Sequence, residues 1–270
     1  MAGILCIQTN PIVGNKTLNL EKIEYYIEEN SDKKLDLVVL PEFFPTGISD
    51  KHFKDFPEND KGGQTIEFIK KLAVKYKTNI VAGTVIEKVD EKYYNTSFAI
   101  NRAGEIVGKY RKIHLYNFMG GNEGSLITAG EKEIVIDFDF GKVGLAICYD
   151  IRYPLHFKKL VQMGAQLIVC PTAWVIPNEV YDNNEMLKYA QDMWISMIRT
   201  RAYDNMVYFA VCNQTQKANN NQSTIGTSLI ISPTAEILAN AGNSESAIYS
   251  DIELRTVDFL KSVYPISSID

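Results

Sequence analysis

The residue most able to act as a nucleophile is Cys148, in the segment VGLAICYDIRYP at residues 143–154. The apolar start of this segment predicts a buried strand that delivers the cysteine to its carboxyl end, where active sites of α/β proteins lie. The polar turn that follows would lift the thiol clear and leave a backbone N–H free to face an oxyanion. The alternative is a buried, inert cysteine, because free cysteine is among the most buried residue types.

Two further residues could assist such a thiol. Glu42 lies in LVVLPEFFPTG at residues 37–47, two residues after an apolar strand and before two aromatic residues. Apolar surroundings raise the pKa of a carboxyl group and suit it to proton transfer near neutral pH. Lys112 lies in YRKIHLYNF at residues 110–118, after a predicted hairpin strand. The alternatives are a surface loop glutamate and a solvated lysine.

The elements that must position these residues alternate between short β-rich runs and amphipathic, helix-length segments. Strands are predicted at residues 3–9, 36–40, 79–86, 93–101, 105–110, 133–138, 141–147, 166–170, 206–212, 225–231 and 247–252. Helices are predicted at residues 17–32, 64–76, 154–163 and 184–203. This order predicts an α/β fold in which helices cover a mixed sheet or a pair of sheets.

Residues 1–270 contain no composition break, linker or internal repeat, so a single domain is predicted. The polar stretch at residues 117–130 is long for a connection in a compact domain and is therefore expected to be functional or mobile. The tail, from about residue 253 to 270, is expected to be an extension that could contact a neighbouring subunit.

Composition and charge exclude several classes of function. The net charge is −5 and no Lys/Arg run could follow a phosphate backbone, so no nucleic-acid partner is predicted. No apolar run approaches the length of a membrane span, and the N-terminus does not resemble a signal peptide. The four cysteines lack CxxC or zinc-finger spacing, so no metal site is predicted. Free thiols favour a reducing, cytoplasmic setting.

Taken together, these segments resemble the nitrilase superfamily of carbon–nitrogen hydrolases. Members carry Glu, Lys and Cys in that order, in the settings LPE, RKxHL and CYDxRxP, which match Pro41-Glu42, residues 111–115 and residues 148–154 here. The resemblance extends through PTAW at 171–174, RTRAYDNMVY at 199–208 and GTSLIISP at 226–233. It therefore spans nearly the whole chain, to about residue 252. Each motif alone is weak, whereas all of them in order are specific.

The resemblance implies an αββα sandwich that forms at least a homodimer and needs no metal or organic cofactor. It also implies that Glu42 takes the thiol proton of Cys148, whose thiolate attacks a small amide and forms a thioester. Lys112 and the backbone N–H of Tyr149 would stabilise the oxyanion. Glu42 would then protonate the departing ammonia or amine and activate the water that hydrolyses the thioester. Structural or surface roles remain for His52, His114 and His156.

Many family members place a second glutamate between the lysine and the cysteine, where it orients the lysine and the substrate. Glu123, in GGNEGS, is the candidate here, and Glu131 and Glu133 are competitors. The sequence departs from the family pattern in two places. Leu155 and His156 follow CYDIRYP where Glu-Leu is usual, and SPTAE at residues 232–236 replaces a Pro-x-Gly turn. Neither departure involves the three implied catalytic positions.

The residue after the nucleophile bears on the substrate. Nitrile-cleaving and N-carbamoyl-amine relatives tend to have Trp after Cys, whereas CYDxR is more typical of amidases that act on small, carboxylate-bearing amides. Arg152 or Arg199 could pair with such a carboxylate, although Arg152 could equally brace the nucleophile turn through Asp150. Further residues expected to face the substrate are Tyr116, Phe118, Thr172, Ala173 and Trp174.

Other functions stay open at this point. A nitrilase or an N-carbamoyl-amine hydrolase would use the same three residues, and an acyltransferase would form the same thioester. A catalytically silent binding module on the same fold would not need all three of Glu42, Lys112 and Cys148. A dinucleotide-binding protein would need a Gly-rich phosphate loop after an early strand, and NPIVGNKT at residues 10–17 is a poor match.

Overall fold

The structure is a computed structural model that describes residues 1–48, 54–59, 61, 63–118, 121–216 and 221–264. Its strands are β1 (Ala2–Gln8), β2 (Leu37–Val39), β3 (Asn79–Val81), β4 (Val85–Val89), β5 (Lys92–Ile100), β6 (Ile106–Arg111), β7 (Ile134–Phe138), β8 (Gly141–Leu145), β9 (Leu167–Pro171), β10 (Val175–Pro177), β11 (Tyr208–Cys212), β12 (Thr215–Gln216), β13 (Gln222–Ile225), β14 (Leu229–Ile231), β15 (Ile237–Asn240) and β16 (Ser246–Ile252). Its helices are α1 (Lys16–Glu28), α2 (Gln64–Tyr76), α3 (Glu123–Leu126), α4 (Pro154–Gln162), α5 (Asn178–Tyr181), α6 (Asn184–Asn205) and α7 (Arg255–Val263), with a 3-10 helix over Cys148–Arg152.

Two large mixed sheets form the centre of the molecule. One has seven strands in the order β16-β1-β2-β3-β5-β4, with β6 also paired to β5, and the other has six in the order β15-β14-β11-β9-β8-β7. Parallel pairing joins β1, β2 and β3 in the first sheet and β8, β9 and β11 in the second. The middle strands are buried along their whole length, as expected for parallel strands covered on both faces.

Alternation of side chains along β1 explains how the layers stack. Ile4 and Cys6 pack in one cluster with residues of the second sheet, whereas Leu5 and Ile7 pack with α1 and α2 in another. The Cys212 thiol of β11 donates to the backbone oxygens of Ile7 and Val39 at 3.3 and 3.1 Å, so the two sheets are in direct contact.

Helices α4 and α6 contribute buried residues to the core beside β8, β11 and β14, on the other side of the second sheet. The order of layers is therefore helix, sheet, sheet, helix, and the predicted αββα sandwich is confirmed.

The predicted strand at residues 79–86 is two strands, β3 and β4. The chain bends between them at Gly83, whose φ is +43°. A Cβ at Gly83 would lie 2.0 Å from the backbone oxygen of Pro41, so this close approach requires glycine. The predicted strand at 225–231 also divides, into β13 and β14, at two residues with positive φ, Gly226 and Thr227.

The tail predicted as an extension contains α7, and residues 265–270 lie outside the described residues. Among the described residues, no helix has the length and apolar character needed to cross a bilayer.

Candidate active site

Cys148 lies where β8 turns into the 3-10 helix. Its φ is +43°, in the left-handed region that residues other than glycine rarely adopt. Such strained backbone is concentrated at functional sites. In the described residues the N–H of Tyr149 donates to no backbone acceptor, whereas the next N–H, that of Asp150, donates to the oxygen of Ile147 at 3.0 Å. The turn therefore presents a thiol and an adjacent free N–H.

Asp150 holds this turn in place. Its carboxylate accepts the N–H of Ile147 at 2.8 Å and the hydroxyl of Tyr110 at 2.6 Å. It also accepts the backbone N–H of His114 at 3.0 Å, and the His114 ring Nδ1 lies 2.7 Å away. Burial would raise the pKa of Asp150, but the hydrogen bonds, led by that of His114, lower it. Arg152 is not among these partners, so the alternative in which it braces the turn through Asp150 does not fit.

The histidines have no contact with the thiol among the described residues. His114 is a partner of Asp150, and its ring stacks on that of Tyr153 with 3.6 Å between the ring centroids. His156 is buried behind the turn, with its ring 5.8 Å from that of His114. Their positions agree with the structural roles that the resemblance implied, and His52 lies outside the described residues.

Glu42 follows β2 at its carboxyl end and is 1% exposed. Its backbone oxygen accepts a hydrogen bond from the side chain of Gln214 at 2.6 Å. Its Oε1 accepts from Lys112 Nζ at 2.9 Å and from Asn95 Nδ2 at 2.8 Å. Its Oε2 accepts from the backbone N–H of Ala173 at 3.0 Å. The carboxylate is thus fixed on both oxygens.

Lys112 follows β6 and lies between two carboxylates, with its Nζ 2.9 Å from both Glu42 Oε1 and Glu123 Oε2. Glu123 also accepts the backbone N–H of Tyr116 at 2.8 Å. Of the three candidate second glutamates, Glu123 is therefore the one in contact with the lysine. Glu131 is exposed. The third, Glu133, pairs with Lys159 at 2.8 Å.

Electrostatics in this cluster favour a protonated thiol at rest. Burial, and then the charge of Glu42, raise the pKa of Cys148 well above its ordinary value, although Lys112 opposes them. The charge of a neighbouring lysine favours a thiolate, and here burial outweighs it. Burial also raises the pKa of Glu42. Burial disfavours the charge of Lys112, but Glu123 and Glu42 outweigh it and raise the pKa of that ammonium.

A cavity of about 380 Å³ opens onto these groups. Its lining includes, of the residues named from sequence, Glu42, Lys112, Tyr116, Phe118, Glu123, Cys148, Tyr149, Arg152, Ala173 and Trp174. Thr172 is not part of this wall, since it is buried and its hydroxyl donates to the Cys170 oxygen at 2.9 Å. Arg199 is also outside, and its Nε donates to the Ala235 oxygen at 2.8 Å.

Arg152 lies at the mouth of the cavity and is exposed. Its guanidinium is 5.2 Å from the ring centroid of Trp174, within range of a cation–π contact. Among the described residues it forms no ion pair with a carboxylate, so its charge is available to a ligand. In the part of the chain that the structure describes, no group of three or more His, Cys, Asp or Glu side chains could hold a metal ion.

Asn95 and part of the cavity wall were not predicted from the sequence. Asn95 donates from Nδ2 to Glu123 Oε1 at 3.0 Å as well as to Glu42. The available signal was an asparagine inside a strand, a residue type that strands disfavour and that needs hydrogen-bond partners when it is buried. The missed wall residues include Ile48, Leu126, Ile176 and Pro177. The last two lie in β10, too short to be predicted from periodicity.

Comparisons with known proteins show the family to which the chain belongs. The family model for carbon–nitrogen hydrolases matches residues 5–262. The 2-oxoglutaramate amidase of Bacillus subtilis is 31% identical over 263 residues, 97% of this chain and 95% of that protein. An omega-amidase of Saccharomyces cerevisiae is 29% identical over 277 residues, 98% of this chain and 91% of that protein.

A solved structure gives the same result. The crystal structure of a Saccharomyces cerevisiae member of branch 10 of the nitrilase superfamily superimposes with a TM-score of 0.84, at 28% identity, covering 98% of this chain and 94% of that one. The chain therefore belongs to the carbon–nitrogen hydrolase family of the nitrilase superfamily, and it is an enzyme that cleaves carbon–nitrogen bonds other than peptide bonds.

Proposed function

We propose that this enzyme hydrolyses the terminal amide of a small amide that also carries a carboxylate, an ω-amide, and releases ammonia. The observation that carries the proposal is that the buried thiol of Cys148 lines one cavity with the guanidinium of Arg152, which forms no ion pair with a carboxylate among the described residues. A guanidinium binds a carboxylate through two parallel hydrogen bonds. The relatives named 2-oxoglutaramate amidase and omega-amidase support the same substrate class. A cavity of about 380 Å³ is near the small end of the range for ligand pockets.

In the proposed first half-reaction, Glu42 takes the thiol proton of Cys148 as the sulfur attacks the amide carbon. The raised pKa of Cys148 supports a base-assisted attack, because the resting thiol is protonated and is a poor nucleophile without a base. The raised pKa of Glu42 brings it nearer to neutrality, where a carboxyl group can both accept and return a proton.

The amide oxygen becomes an oxyanion in this step. Lys112, and the N–H of Tyr149, are the donors available to stabilise it. Glu42 then protonates the departing ammonia, and a thioester to Cys148 remains. A water molecule that Glu42 deprotonates hydrolyses the thioester and restores the thiol.

The experiment is to measure ammonia release from a panel of amides with wild type and Cys148→Ala. The panel contains 2-oxoglutaramate, succinamate, the uncharged butyramide, an N-carbamoyl amine and a nitrile. We expect turnover of the two ω-amides by wild type and none by the variant. Cys6→Ala, which removes another buried thiol that does not line the cavity, is the matched control and should stay active. Activity in Cys148→Ala, or wild-type preference for the nitrile, would contradict the proposal.

The role of Arg152 has a separate test. Arg152→Gln removes the charge, so kcat/KM for an ω-amide should fall by about 10- to 100-fold, as expected for a charge-assisted hydrogen bond. The value for butyramide should change little. Arg199→Gln, at the other candidate arginine, is the control. Equal losses for charged and uncharged amides in Arg152→Gln would show that Arg152 does not select the carboxylate.

We also propose that two or more copies associate through an apolar groove beside the cavity. The groove has a volume of about 940 Å³ and is lined by exposed residues of α6, including Met186, Tyr189 and Met193. It shares Arg152 and Trp174 with the cavity. Light scattering should give at least twice 30.5 kDa for wild type and a smaller species for Met193→Glu. A 30.5 kDa species alone for wild type would refute the assembly.

Two predictions from the sequence also stay as proposals. One is a single domain over residues 1–270, which the core cluster shared by both sheets supports. The other is a cytoplasmic location, which the four free cysteines support because a reducing compartment preserves thiols. Limited proteolysis that releases two stable halves would contradict the first, and recovery outside the cytoplasmic fraction would contradict the second.

A further inference from the structure

Asn95 contacts both glutamates of the site and the backbone of Lys112, although it does not line the cavity. It lies in β5 and is 1% exposed. Its Nδ2 donates to Glu42 Oε1 at 2.8 Å and to Glu123 Oε1 at 3.0 Å. Its backbone oxygen accepts the N–H of Lys112 at 2.9 Å. One residue thus holds the base, the second glutamate and the strand end that carries the lysine.

The orientation of the Asn95 side-chain amide follows from its neighbours. Both are carboxylate oxygens, which accept hydrogen bonds, so the NH₂ group and not the oxygen must face them. The Asn95 oxygen, Oδ1, is then left buried with no hydrogen-bond partner in the described part of the chain. A buried polar atom without a partner is costly, so the two bonds from Nδ2 must outweigh that cost.

These bonds make the two oxygens of Glu42 different. Oε1 accepts from both Asn95 and Lys112, which uses the lone pairs of one carboxylate oxygen. Oε2 accepts the N–H of Ala173 at 3.0 Å, and the side chain of Cys148 is also a hydrogen-bond partner of the Glu42 carboxylate. One lone pair of Oε2 is therefore left for a proton from Cys148.

We propose that Asn95 is a positioning residue that fixes Glu42 so that Oε2 takes the proton of Cys148. The inference rests on the proposed function of Glu42 as the base. In the step, the S–H bond of Cys148 breaks and the proton forms a bond to Oε2. The sulfur electron pair forms the bond to the amide carbon, and the electron pair of the C=O bond moves to oxygen, beside Lys112.

Asn95 also affects the pH at which Glu42 works. The titratable groups that face Glu42 are Lys112 at the end of β6, Glu123 on α3 and Cys148 on the 3-10 helix. A donor to the carboxylate stabilises its charged form and limits the rise in its pKa. Without Asn95 the carboxylate should take up a proton at higher pH, and the acid limb of the activity profile should move up.

The test is the pH profile of Asn95→Leu, which keeps the size of the side chain and removes both donors. We expect the acid limb of kcat/KM for succinamate to move up by about one pH unit, as the loss of a charge-assisted hydrogen bond implies. Asn79→Leu is the matched control. Asn79 is also 1% exposed, in β3 of the same sheet, and its Nδ2 also donates twice, to the Asp36 oxygen and to Asp139.

A second readout separates this inference from the proposed substrate. Alkylation of Cys148 by iodoacetamide needs no substrate, and its rate should show the same upward shift in Asn95→Leu. If Asn95→Leu does not fold, as judged by circular dichroism, Asn95→Ser keeps one donor and should show a smaller shift. An unchanged acid limb in the folded variant, or an equal shift in Asn79→Leu, would overturn the inference. Absence of ω-amide turnover by wild type would overturn only the proposed function.

Discussion

Replacement of Glu123 by glutamine tests the electrostatics of the site directly. Glu42 Oε1 and Glu123 Oε2 each lie 2.9 Å from Lys112 Nζ, so the two carboxylates approach each other to about 6 Å. At an effective dielectric constant of about 20, two like charges at that distance repel by about 3 kcal/mol. This repulsion contributes to the raised pKa of Glu42. One pKa unit is about 1.4 kcal/mol, so Glu123→Gln should move the acid limb of the pH profile of kcat/KM to lower pH by about two units.

The same substitution should also lower the maximal activity. Lys112 loses one of its two ion pairs, and a charge-assisted hydrogen bond is worth about 1.5 to 3 kcal/mol. We therefore expect kcat/KM at the optimum to fall by about 10- to 100-fold. The assay is ammonia release from succinamate across pH 4 to 10, with thermal unfolding of each variant measured in parallel. Glu133→Gln is the control, since Glu133 pairs with Lys159 away from the cavity.

The direction of the shift is the decisive result. Glu123→Gln should move the acid limb down, whereas Asn95→Leu should move it up, because one removes a repelling charge and the other removes donors. An acid limb that stays in place in Glu123→Gln would refute the charge coupling between Glu42 and Glu123. An upward shift would mean that Glu123 acts on Glu42 through hydrogen bonding and not through its charge.

Three further predictions follow from buried groups. Lys112→Met should abolish activity and lower the free energy of unfolding by about 3 to 5 kcal/mol, because two buried carboxylates lose the ammonium that pairs with them. Urea titration measures this loss, and an unchanged urea midpoint would contradict it. His156 is 2% exposed, and burial lowers its pKa below 6.5. As the pH falls, the unfolded state therefore binds the proton before the folded state does, which destabilises the folded state. His156→Leu removes this effect, so its gain in melting temperature should increase as the pH falls below 6.5. A gain that does not depend on pH would rule out titration as the cause. Gly83→Ala would bring a Cβ to 2.0 Å from the Pro41 oxygen and should displace Glu42. We therefore expect kcat to fall by more than the loss of folded protein, as measured by the melting temperature, can explain. A wild-type kcat would show that the loop adapts.

The sequence alone was enough to predict the elements that carry the chemistry. The apolar runs before Glu42 and Cys148 indicated buried strands, and both residues follow such strands in the structure. Local periodicity and turn residues contain this information, because they depend on neighbours within one element. The order of the Glu, Lys and Cys motifs then indicated the family. The break of the predicted 79–86 strand at Gly83 escaped this reasoning, since it depends on the approach of Pro41 from another loop.

The tertiary structure alone decided which groups meet. Three glutamates between residues 123 and 133 were candidates to orient Lys112, and only the ion pair seen in the tertiary structure selects Glu123. Asn95 came to notice only because β5 pairs with β6 and faces Glu42. The protonated state of Cys148 depends on burial by residues far along the chain. These properties arise from the order and stacking of strands, which are long-range contacts, and the spacing of residues within one segment does not determine them.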